Sequence, residues 1–320
     1  MSATPILRPS GGLTFRIPSL ITTGGELTLL CDARPGADPT MDWQSIGGAM
    51  AEDLPNPNYL VLLRFDGETW SKPVRLPGTP RVCGDAASAG EELAYAASDQ
   101  IGYFGSTLNG PRLEAWLAWG SDPMNLTHRR ADELYEELRA DAIFATSGSA
   151  QMLDDVAAFP YVVRRGESTE IRLVHVRAGQ IEAMSQAITA PAPLDETAVC
   201  LTQTGTVLLS SRIQGHGGRF EAESSDGITF TEPRHIDLPD PGCNACFAVS
   251  SDTYFIHPHA HSRDNGAILR RRRDYETVHR LSPGEFGYSD AAWLGHDLIV
   301  VFEREGGLWM ERVDARKLVV

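Results

Sequence analysis

The chain has 320 residues, of which 42% are hydrophobic and 22% charged, a balance typical of a globular protein with a proper core. Its formal net charge of -15 argues against a nucleic-acid or anionic-membrane partner, because phosphate groups are bound chiefly by Lys and Arg. No apolar run reaches the roughly 18 residues of a membrane span, so we expect none.

The beginning of the chain and its cysteines bear on the compartment. The first ten residues lack a basic segment followed by an apolar one, so no secretory signal is recognisable and we expect a cytoplasmic protein. If the start codon is misassigned, the protein would instead be secreted. Five cysteines fit a reducing compartment better than a disulfide framework. Cys243 and Cys246 have the spacing of half a zinc site, but no second such pair exists, so we expect neither metal nor cofactor.

Short apolar segments predict strands along the whole chain. They are rich in Val, Ile, Leu, Thr and Tyr and are bounded by Gly, Pro, Asp and Asn. The clearest are 26–31, 59–63, 171–176, 207–211 and 298–302. The one fair helix candidate is 130–140, where Leu134 and Leu138 are four residues apart. These patterns predict an all-β protein.

A weak internal repeat narrows the architecture. The pattern Asp-Gly-x-Thr-aromatic occurs at 66–70 and again at 226–230, and 121–128 and 273–278 resemble decayed copies. Each is typical of a hairpin turn, in which Asp caps the loop backbone and Gly takes a positive φ. Recurrent hairpin turns in a chain of this size predict blades repeated around an axis, as a single domain over 1–320.

Four successive arginines, at 270–273, stand out in an acidic protein. Within a strand they would point alternately to opposite faces. We interpret them as an exposed, charged sheet edge and not as a nucleic-acid patch.

Four further motifs carry a resemblance to a known family. They are Phe-Arg-Ile-Pro at 15–18, Ser-Ser-Arg at 210–212, Ser-Arg-Asp-Asn-Gly at 262–266 and Gly-Tyr-Ser-Asp at 287–290. Together with the degenerate Asp-box turns, they resemble the bacterial sialidases (exo-α-neuraminidases) over nearly the whole chain. The resemblance implies a six-bladed β-propeller that hydrolyses terminal α-linked sialic acid from oligosaccharides or glycoconjugates with retention.

The same resemblance implies roles for four residues. Arg16, Arg212 and Arg263 match an arginine triad that holds the carboxylate of sialic acid, for which the forked guanidinium is well suited. Tyr288 matches the nucleophile. A neutral phenol suits this substrate, because an anionic nucleophile would be repelled by the carboxylate on the anomeric carbon.

Two proton-transfer residues follow from the resemblance as well. Glu196 matches the glutamate that takes the phenol proton; Asp195 is an alternative that we disfavour, since adjacent strand residues face opposite ways. Asp53 is the candidate acid/base that protonates the leaving oxygen and later activates water. Asp38 and Asp42, in the same loop, are alternatives to Asp53.

Secondary contacts complete the expected site. Arg34 and Asp85 match residues that line the sugar pocket near the 4-hydroxyl, Glu303 matches the glutamate that braces one triad arginine, and 144–151 matches a stretch beside the pocket. Two alternatives remain open. One is a glycan-binding propeller without catalysis; the other is a different reaction in the same pocket, such as trans-sialidation or action on another nonulosonic acid.

Overall fold

The computed structural model describes residues 3–35, 57–99, 112–215, 217–272, 274–281 and 283–318. Their regular structure is almost entirely antiparallel β-sheet, in six small sheets of four or five strands. The sheets are arranged around one axis as a six-bladed β-propeller, so the predicted fold class is confirmed.

The first strand of the chain, β1 (Thr4–Leu7), belongs to the last blade. Blade one is formed by β2 (Leu13–Thr23), β3 (Glu26–Pro35), β4 (Tyr59–Phe65) and β5 (Val74–Arg75). Blade two is formed by β6 (Val82–Ala89), β7 (Glu92–Ser98), β8 (Glu114–Trp119) and β9 (Thr127–Arg130). In these two blades the strand numbers increase from the axis outward.

A short helix, α1 (Glu133–Leu138), leads to blade three, which contains β10 (Ala142–Ala145), β12 (Gln151–Leu153), β13 (Val156–Arg165), β14 (Ser168–Arg177) and β15 (Gln180–Met184). Strand β11 (Gly148–Ser149) lies between β10 and β12 in sequence and pairs with β6 of blade two. Blade four is formed by β16 (Leu194–Leu201), β17 (Val207–Ile213), β18 (Arg219–Ser224) and β19 (Arg234–Ile236).

Blade five is formed by β20 (Cys246–Val249), β21 (Thr253–Pro258), β22 (Gly266–Arg271) and β23 (Tyr275–Arg280). Blade six is formed by β24 (Ser289–Leu294), β25 (Asp297–Arg304), β26 (Gly307–Asp314) and β1. A 3-10 helix, Ala315–Lys317, follows. Because the outermost strand of blade six comes from the beginning of the chain, backbone hydrogen bonds between β1 and β26 close the ring.

The predicted strands are confirmed, since each lies within an observed one: β3, β4, β14, β17 and β25. The predicted helix is shorter than expected because 127–130 form the outer strand β9; Leu134 and Leu138 are buried as their spacing required. In the part of the chain that the structure describes, no helix is long and apolar enough to cross a membrane.

The predicted hairpin turns occupy equivalent places in the blades. The turns at 66–70 and 226–230 both connect the third strand of a blade to the fourth. In each, an aspartate oxygen accepts from the threonine backbone N–H, at 2.6 Å for Asp66 and 2.8 Å for Asp226, and the following glycine has positive φ. The weaker copies lie at the same junctions, between β8 and β9 and between β22 and β23.

The interpretation of the arginine run as an exposed edge is wrong for its first two residues. They lie in β22, a third strand with neighbours on both sides, and only 5% of Arg270 is exposed. Carboxylates compensate both charges: Arg270 contacts Glu276 of the adjacent strand β23 at 2.8 Å, and Arg271 contacts Glu223 at 2.6 Å and Glu221 at 3.1 Å, both in β18 of blade four. Arg271 therefore links blades four and five.

The inner strand of blade three is interrupted beside the axis. Strands β10 and β12 both pair with β13, while β11 between them pairs in parallel with β6. Ser149 in β11 donates to both oxygens of the fully buried Asp290, at 2.8 and 2.6 Å, and the Leu20 N–H donates to the same carboxylate at 2.6 Å. The Asp290 carboxylate thus joins blade six to blade one and to strand β11.

We expect Asp290 to make the stability of the protein depend on pH. Burial raises its pKa to about 6, so the folded protein holds this proton more tightly than the unfolded chain does. Its stabilising contribution is therefore complete below pH ~4 and is lost as the pH rises through about 6, a change of about 3 kcal/mol at 1.36 kcal/mol per pKa unit.

The test is chemical denaturation of the wild type and Asp290→Asn between pH 4.5 and 7.5. The asparagine can still accept from Leu20 and donate to Ser149, and its stability relative to wild type should improve as the pH rises. Asp226→Asn is the control, because backbone N–H groups hold the pKa of Asp226 at about 2. Asp226 is ionised throughout this pH range in both the folded and the unfolded chain, so the effect of its substitution should not vary with pH. A pH-independent difference for Asp290→Asn would contradict the assignment.

Candidate active site

The polar residues singled out in the sequence lie at one end of the propeller. In an antiparallel sheet, the start of one strand and the end of the next meet at the same edge. Arg16 and Glu196 lie near the starts of inner strands β2 and β16, and Tyr288 directly precedes inner strand β24. Arg34, Arg212 and Glu303 lie at the ends of second strands β3, β17 and β25, and Arg263 follows the end of β21.

Tyr288 and Glu196 form a hydrogen bond between blades six and four. The phenol oxygen donates to Glu196 Oε2 at 2.7 Å, and each residue is 7% exposed. Burial, followed by the charge of Glu196, raises the pKa of Tyr288 well above its ordinary value, although the nearby arginines oppose the shift. The resting tyrosine is therefore a neutral phenol with a carboxylate poised to accept its proton.

Arg16 is held beside this phenol by Glu303. Its Nε and Nη2 donate to the two oxygens of Glu303 at 3.1 and 3.3 Å, and its Cζ lies 5.3 Å from the centroid of the Tyr288 ring. Glu303 also accepts from the Ile17 N–H at 2.9 Å. A side chain at Gly287 would place its Cβ 2.6 Å from Glu303 Oε2, so glycine leaves the room that this carboxylate needs.

Arg212 approaches the same phenol from blade four. Its Nη2 contacts Asp195 Oδ2 at 2.9 Å and Glu196 Oε2 at 3.2 Å. The expectation that Asp195 faces away from the site is wrong, because the register between β16 and β17 shifts between Leu194 and Thr197 and interrupts the alternation of side chains. Glu196 is nevertheless the carboxylate that accepts the hydrogen bond from Tyr288.

Arg263 completes the group from the loop after β21. Its Cζ lies 5.2 Å from the Tyr288 ring centroid. Its Nη2 donates at 2.9 Å to the carbonyl of Gly242, which also accepts from Arg212 Nη1. The structure therefore brings the three predicted arginines together around one buried phenol.

Arg34 and Asp85 form an adjoining cluster that contains a residue absent from the sequence prediction. Arg34 Nη2 contacts Asp85 at 3.3 Å and Asp32 at 2.8 Å. Asp32 is fully buried and pairs across the sheet with Arg16. Burial raises its pKa and the charge of Arg34 opposes the shift. The spacing of two between Asp32 and Arg34 was a usable signal, because alternate strand residues share a face.

The backbone is strained where inner strands enter the site. Ile17 and Asp85 have φ of 58° and 55°, a region that is unfavourable for side chains and most of all for a β-branched one. Both lie at register shifts, between Arg16 and Ser19 in β2 and between Gly84 and Ala87 in β6. Such positions cost on the order of 1–3 kcal/mol and here redirect side chains towards the end of the propeller.

Some of the remaining sequence predictions concern residues outside the described part of the chain. Asp53, Asp38 and Asp42 all fall within 36–56, outside the described residues. The stretch 144–151 contains the end of β10, all of β11 and the first residue of β12, and the Thr146 hydroxyl donates to the Thr197 carbonyl, next to Glu196, at 2.8 Å. Among the described residues, no group of three or more His, Cys, Asp and Glu side chains is arranged to hold a metal. Cys243 is fully buried and packs against Ile17 and Tyr288.

Comparison with known proteins adds information about the fold. No protein-family model matches the chain, and none of the curated proteins does. Among solved structures, the Hadza microbial sialidase Hz136 superposes with a TM-score of 0.73 at 16% identity, over 96% of this chain and 66% of its own. The Trypanosoma rangeli sialidase in complex with 2,3-difluorosialic acid, a covalent intermediate, superposes with a TM-score of 0.68 at 14% identity.

The share of each neighbour's own length that this chain covers differs among these structures. This chain covers 59% of the Trypanosoma rangeli sialidase, so both sialidases are considerably longer than the chain itself. The intramolecular trans-sialidase from Ruminococcus gnavus matches over 96% of this chain and 95% of its own, with a TM-score of 0.69 at 12% identity. At such low identities the likeness establishes a sialidase-like propeller as the fold.

The phenol of Tyr288 should resist ionisation in the resting protein. We expect no tyrosinate signal from it at about pH 11, one unit above the ordinary phenol pKa, because burial and the Glu196 charge both oppose ionisation. In Glu196→Gln the signal should move to lower pH, since one of those two causes is removed.

The measurement is a pH titration followed by NMR of protein labelled at tyrosine Cζ. The Tyr288 resonance is assigned by its absence from Tyr288→Phe. Ionisation of Tyr288 near pH 10 in the wild type would contradict the geometry described above.

Proposed function

We propose that the protein is an exo-α-sialidase that removes terminal α-linked sialic acid with retention. The observation that carries the proposal is the 2.7 Å hydrogen bond from the buried Tyr288 phenol to Glu196. Three guanidiniums surround this pair. A neutral nucleophile, its base and a cationic clamp are what a substrate with a carboxylate on its reacting carbon requires.

In the binding step, Arg16, Arg212 and Arg263 hold the substrate carboxylate. Glu303 fixes the orientation of Arg16, so its guanidinium is ordered before substrate arrives. Arg34 and Asp85 would contact a hydroxyl of the same sugar from the adjoining cluster. The clamp places the anomeric carbon against the Tyr288 oxygen, which supplies much of the advantage of an intramolecular reaction.

In the first half of the reaction, the Tyr288 oxygen forms a bond to the anomeric carbon while Glu196 takes the phenol proton. The bond from that carbon to the leaving oxygen breaks, and Asp53 donates a proton to this oxygen. Because the resting phenol is neutral, its proton moves only as the new bond forms. The products of this half are a sialyl-tyrosine, in which the tyrosine oxygen is bonded to the anomeric carbon as an aryl glycoside, and a free aglycone.

In the second half, Asp53 takes a proton from water, and the water oxygen attacks the anomeric carbon. The bond to Tyr288 breaks, and Glu196 returns the proton to the phenol oxygen. Two displacements at the same carbon leave its configuration unchanged. Support by analogy comes from the Trypanosoma rangeli sialidase, a structure of similar fold that is described as a covalent intermediate.

A second candidate is trans-sialidation in the same pocket. It is favoured by the intramolecular trans-sialidase from Ruminococcus gnavus, because the match covers 95% of that chain. In that case a hydroxyl of the bound sugar, in place of water, would attack the sialyl-tyrosine and give an anhydro sugar. A glycan-binding propeller without catalysis would have no use for the hydrogen bond between Tyr288 and Glu196.

The decisive variant is Tyr288→Phe, assayed by release of 4-methylumbelliferone from its α-sialoside. We expect the wild type to turn over and kcat/KM of the variant to fall by about three orders of magnitude or more, because the nucleophile is lost. Tyr275→Phe is the matched control. It removes another phenol that donates to a buried carboxylate, that of Glu221, at a distance from the site, and it should retain activity.

Loss of activity in both variants would indicate a general effect on folding and would contradict the assigned role. A wild type that is inactive at every pH but binds sialic acid would instead establish a glycan-binding function. If it neither cleaves nor binds, the substrate class is wrong.

The acid/base assignment is tested by Asp53→Ala beside Asp38→Ala and Asp42→Ala. The aryl leaving group needs little protonation, whereas the sugar alcohol of sialyl-lactose needs much. We therefore expect Asp53→Ala to lose considerably more activity on sialyl-lactose than on the aryl sialoside. The same selective loss in Asp38→Ala or Asp42→Ala would transfer the role to that residue.

Proton NMR of the wild-type reaction distinguishes the products. Initial release of the α-anomer of free sialic acid supports hydrolysis with retention. Release of the β-anomer would contradict the double displacement, and an anhydro sugar would establish intramolecular transfer.

A further inference from the structure

Two of the three arginines in the site share one backbone acceptor. The Gly242 carbonyl accepts from Arg263 Nη2 at 2.9 Å and from Arg212 Nη1. Arg212 belongs to blade four and Arg263 to blade five. The two guanidiniums repel each other, and an acceptor oxygen shared by both offsets part of that repulsion. The position of this carbonyl therefore helps to set the separation of the two guanidiniums, beside the carboxylates of Asp195 and Glu196 that also hold Arg212.

The carbonyl belongs to a tight turn with a clear sequence signature, Asp-Pro-Gly-Cys at 240–243. Proline at the second position and a glycine with φ of 72° at the third are typical of a type II turn. Asp240 Oδ1 accepts from the Gly242 N–H at 2.7 Å and from the Cys243 N–H at 3.2 Å. The aspartate side chain thus holds the turn that presents the carbonyl.

Asp240 is in turn held by a completely buried arginine. Arg219 Nη1 donates to Asp240 Oδ2 at 2.7 Å and to the Cys243 carbonyl at 3.3 Å. Its other nitrogens donate to Ser210 Oγ and to the Ser210 carbonyl at 3.0 and 2.8 Å. This guanidinium therefore connects the turn to the side chain and the carbonyl of Ser210 in strand β17. Strand β17 also carries Arg212, near its end.

The buried pair is charged and outside the proposed reaction. Burial acts to raise the pKa of Asp240, but the Arg219 charge and the hydrogen bonds outweigh it and hold that pKa far below its usual range. The side chain of His257 is fully buried, with its Nε2 3.6 Å from the same carboxylate. Removing one partner of such a pair is costly, so the pair gives the turn one strongly preferred position.

We propose that Asp240 is a positioning residue for the clamp that recognises the substrate carboxylate. It acts through the Gly242 carbonyl, which sets Arg212 and Arg263 at the spacing at which one carboxylate can contact both. The inference rests on the proposed function, since it names a determinant of the same site. It concerns recognition of the acid group and not the chemistry at Tyr288.

The test compares binding of 2,3-didehydro sialic acid with binding of its methyl ester. The ester keeps the shape of the ring but lacks the anion, so the ratio of the two affinities reports on the clamp alone. In Asp240→Asn the side-chain oxygen can still accept from the Gly242 and Cys243 N–H groups, but an amide NH2 group faces Arg219 in place of a carboxylate oxygen. We expect the acid to bind about tenfold or more weakly, the size of one lost hydrogen bond to a charged group, and the ester to change little.

Two further variants keep the test decisive. Gly242→Ala leaves the ion pair between Asp240 and Arg219 intact but strains the turn at positive φ. It should therefore also lower the ratio of the affinity for the acid to that for the ester. If Asp240→Asn does not fold, the result for Gly242→Ala decides whether the turn positions the clamp. Glu221→Gln is the matched control, because it alters another buried carboxylate of blade four, paired with Arg271, and should leave the ratio unchanged.

The outcomes separate the inference from the proposed function. A reduced ratio in Asp240→Asn and Gly242→Ala, together with a rise in KM that exceeds the fall in kcat, supports the positioning role. A wild-type ratio in folded Asp240→Asn, or an equal reduction in Glu221→Gln, overturns it while the proposed function stands. Failure of the wild type to prefer the acid over the ester overturns the carboxylate clamp and this inference together.

Discussion

The hydrogen bond between Tyr288 and Glu196 depends on closure of the whole ring. The tyrosine precedes the inner strand of blade six and the glutamate lies in the inner strand of blade four, 92 positions apart in the chain. Their side chains meet only because the blades surround a common axis and the N-terminal strand seals the last blade. The 2.7 Å distance between the two side chains therefore depends on how blade five packs between blades four and six.

A second constraint is electrostatic, because three guanidiniums lie close together within a protein of net charge -15. Each has a fixed partner: Glu303 for Arg16, Asp195 and Glu196 for Arg212, and a neutral carbonyl for Arg263. Compensation by fixed groups keeps the guanidiniums in place, so that they are already oriented when an anion arrives. The partner of Arg263 is the weakest of these, and that side chain is also the most exposed of the three.

The strained backbone and the register shifts also help to orient the side chains of the site. In a regular strand, side chains alternate between the two faces of a blade and few point along the axis. The register shifts in β2, β6 and β16 interrupt this alternation where Arg16, Asp85 and Glu196 are needed. The strain at Ile17 is offset in part by the hydrogen bond from its N–H to Glu303, the carboxylate that also holds Arg16.

The sequence by itself determined the class of fold and the strand positions, because alternation, turn residues and the Asp-Gly-x-Thr pattern are local properties that a strand or hairpin must satisfy. It also marked the three arginines and Tyr288 through short motifs. It misjudged Asp195 and the arginines of β22, because a register shift and the carboxylates of a neighbouring blade are invisible to strand periodicity. No sequence pattern indicated that Asp240, Arg219 and the Gly242 carbonyl form one hydrogen-bonded unit. Their association depends on how blades four and five pack, and only the tertiary structure decided that.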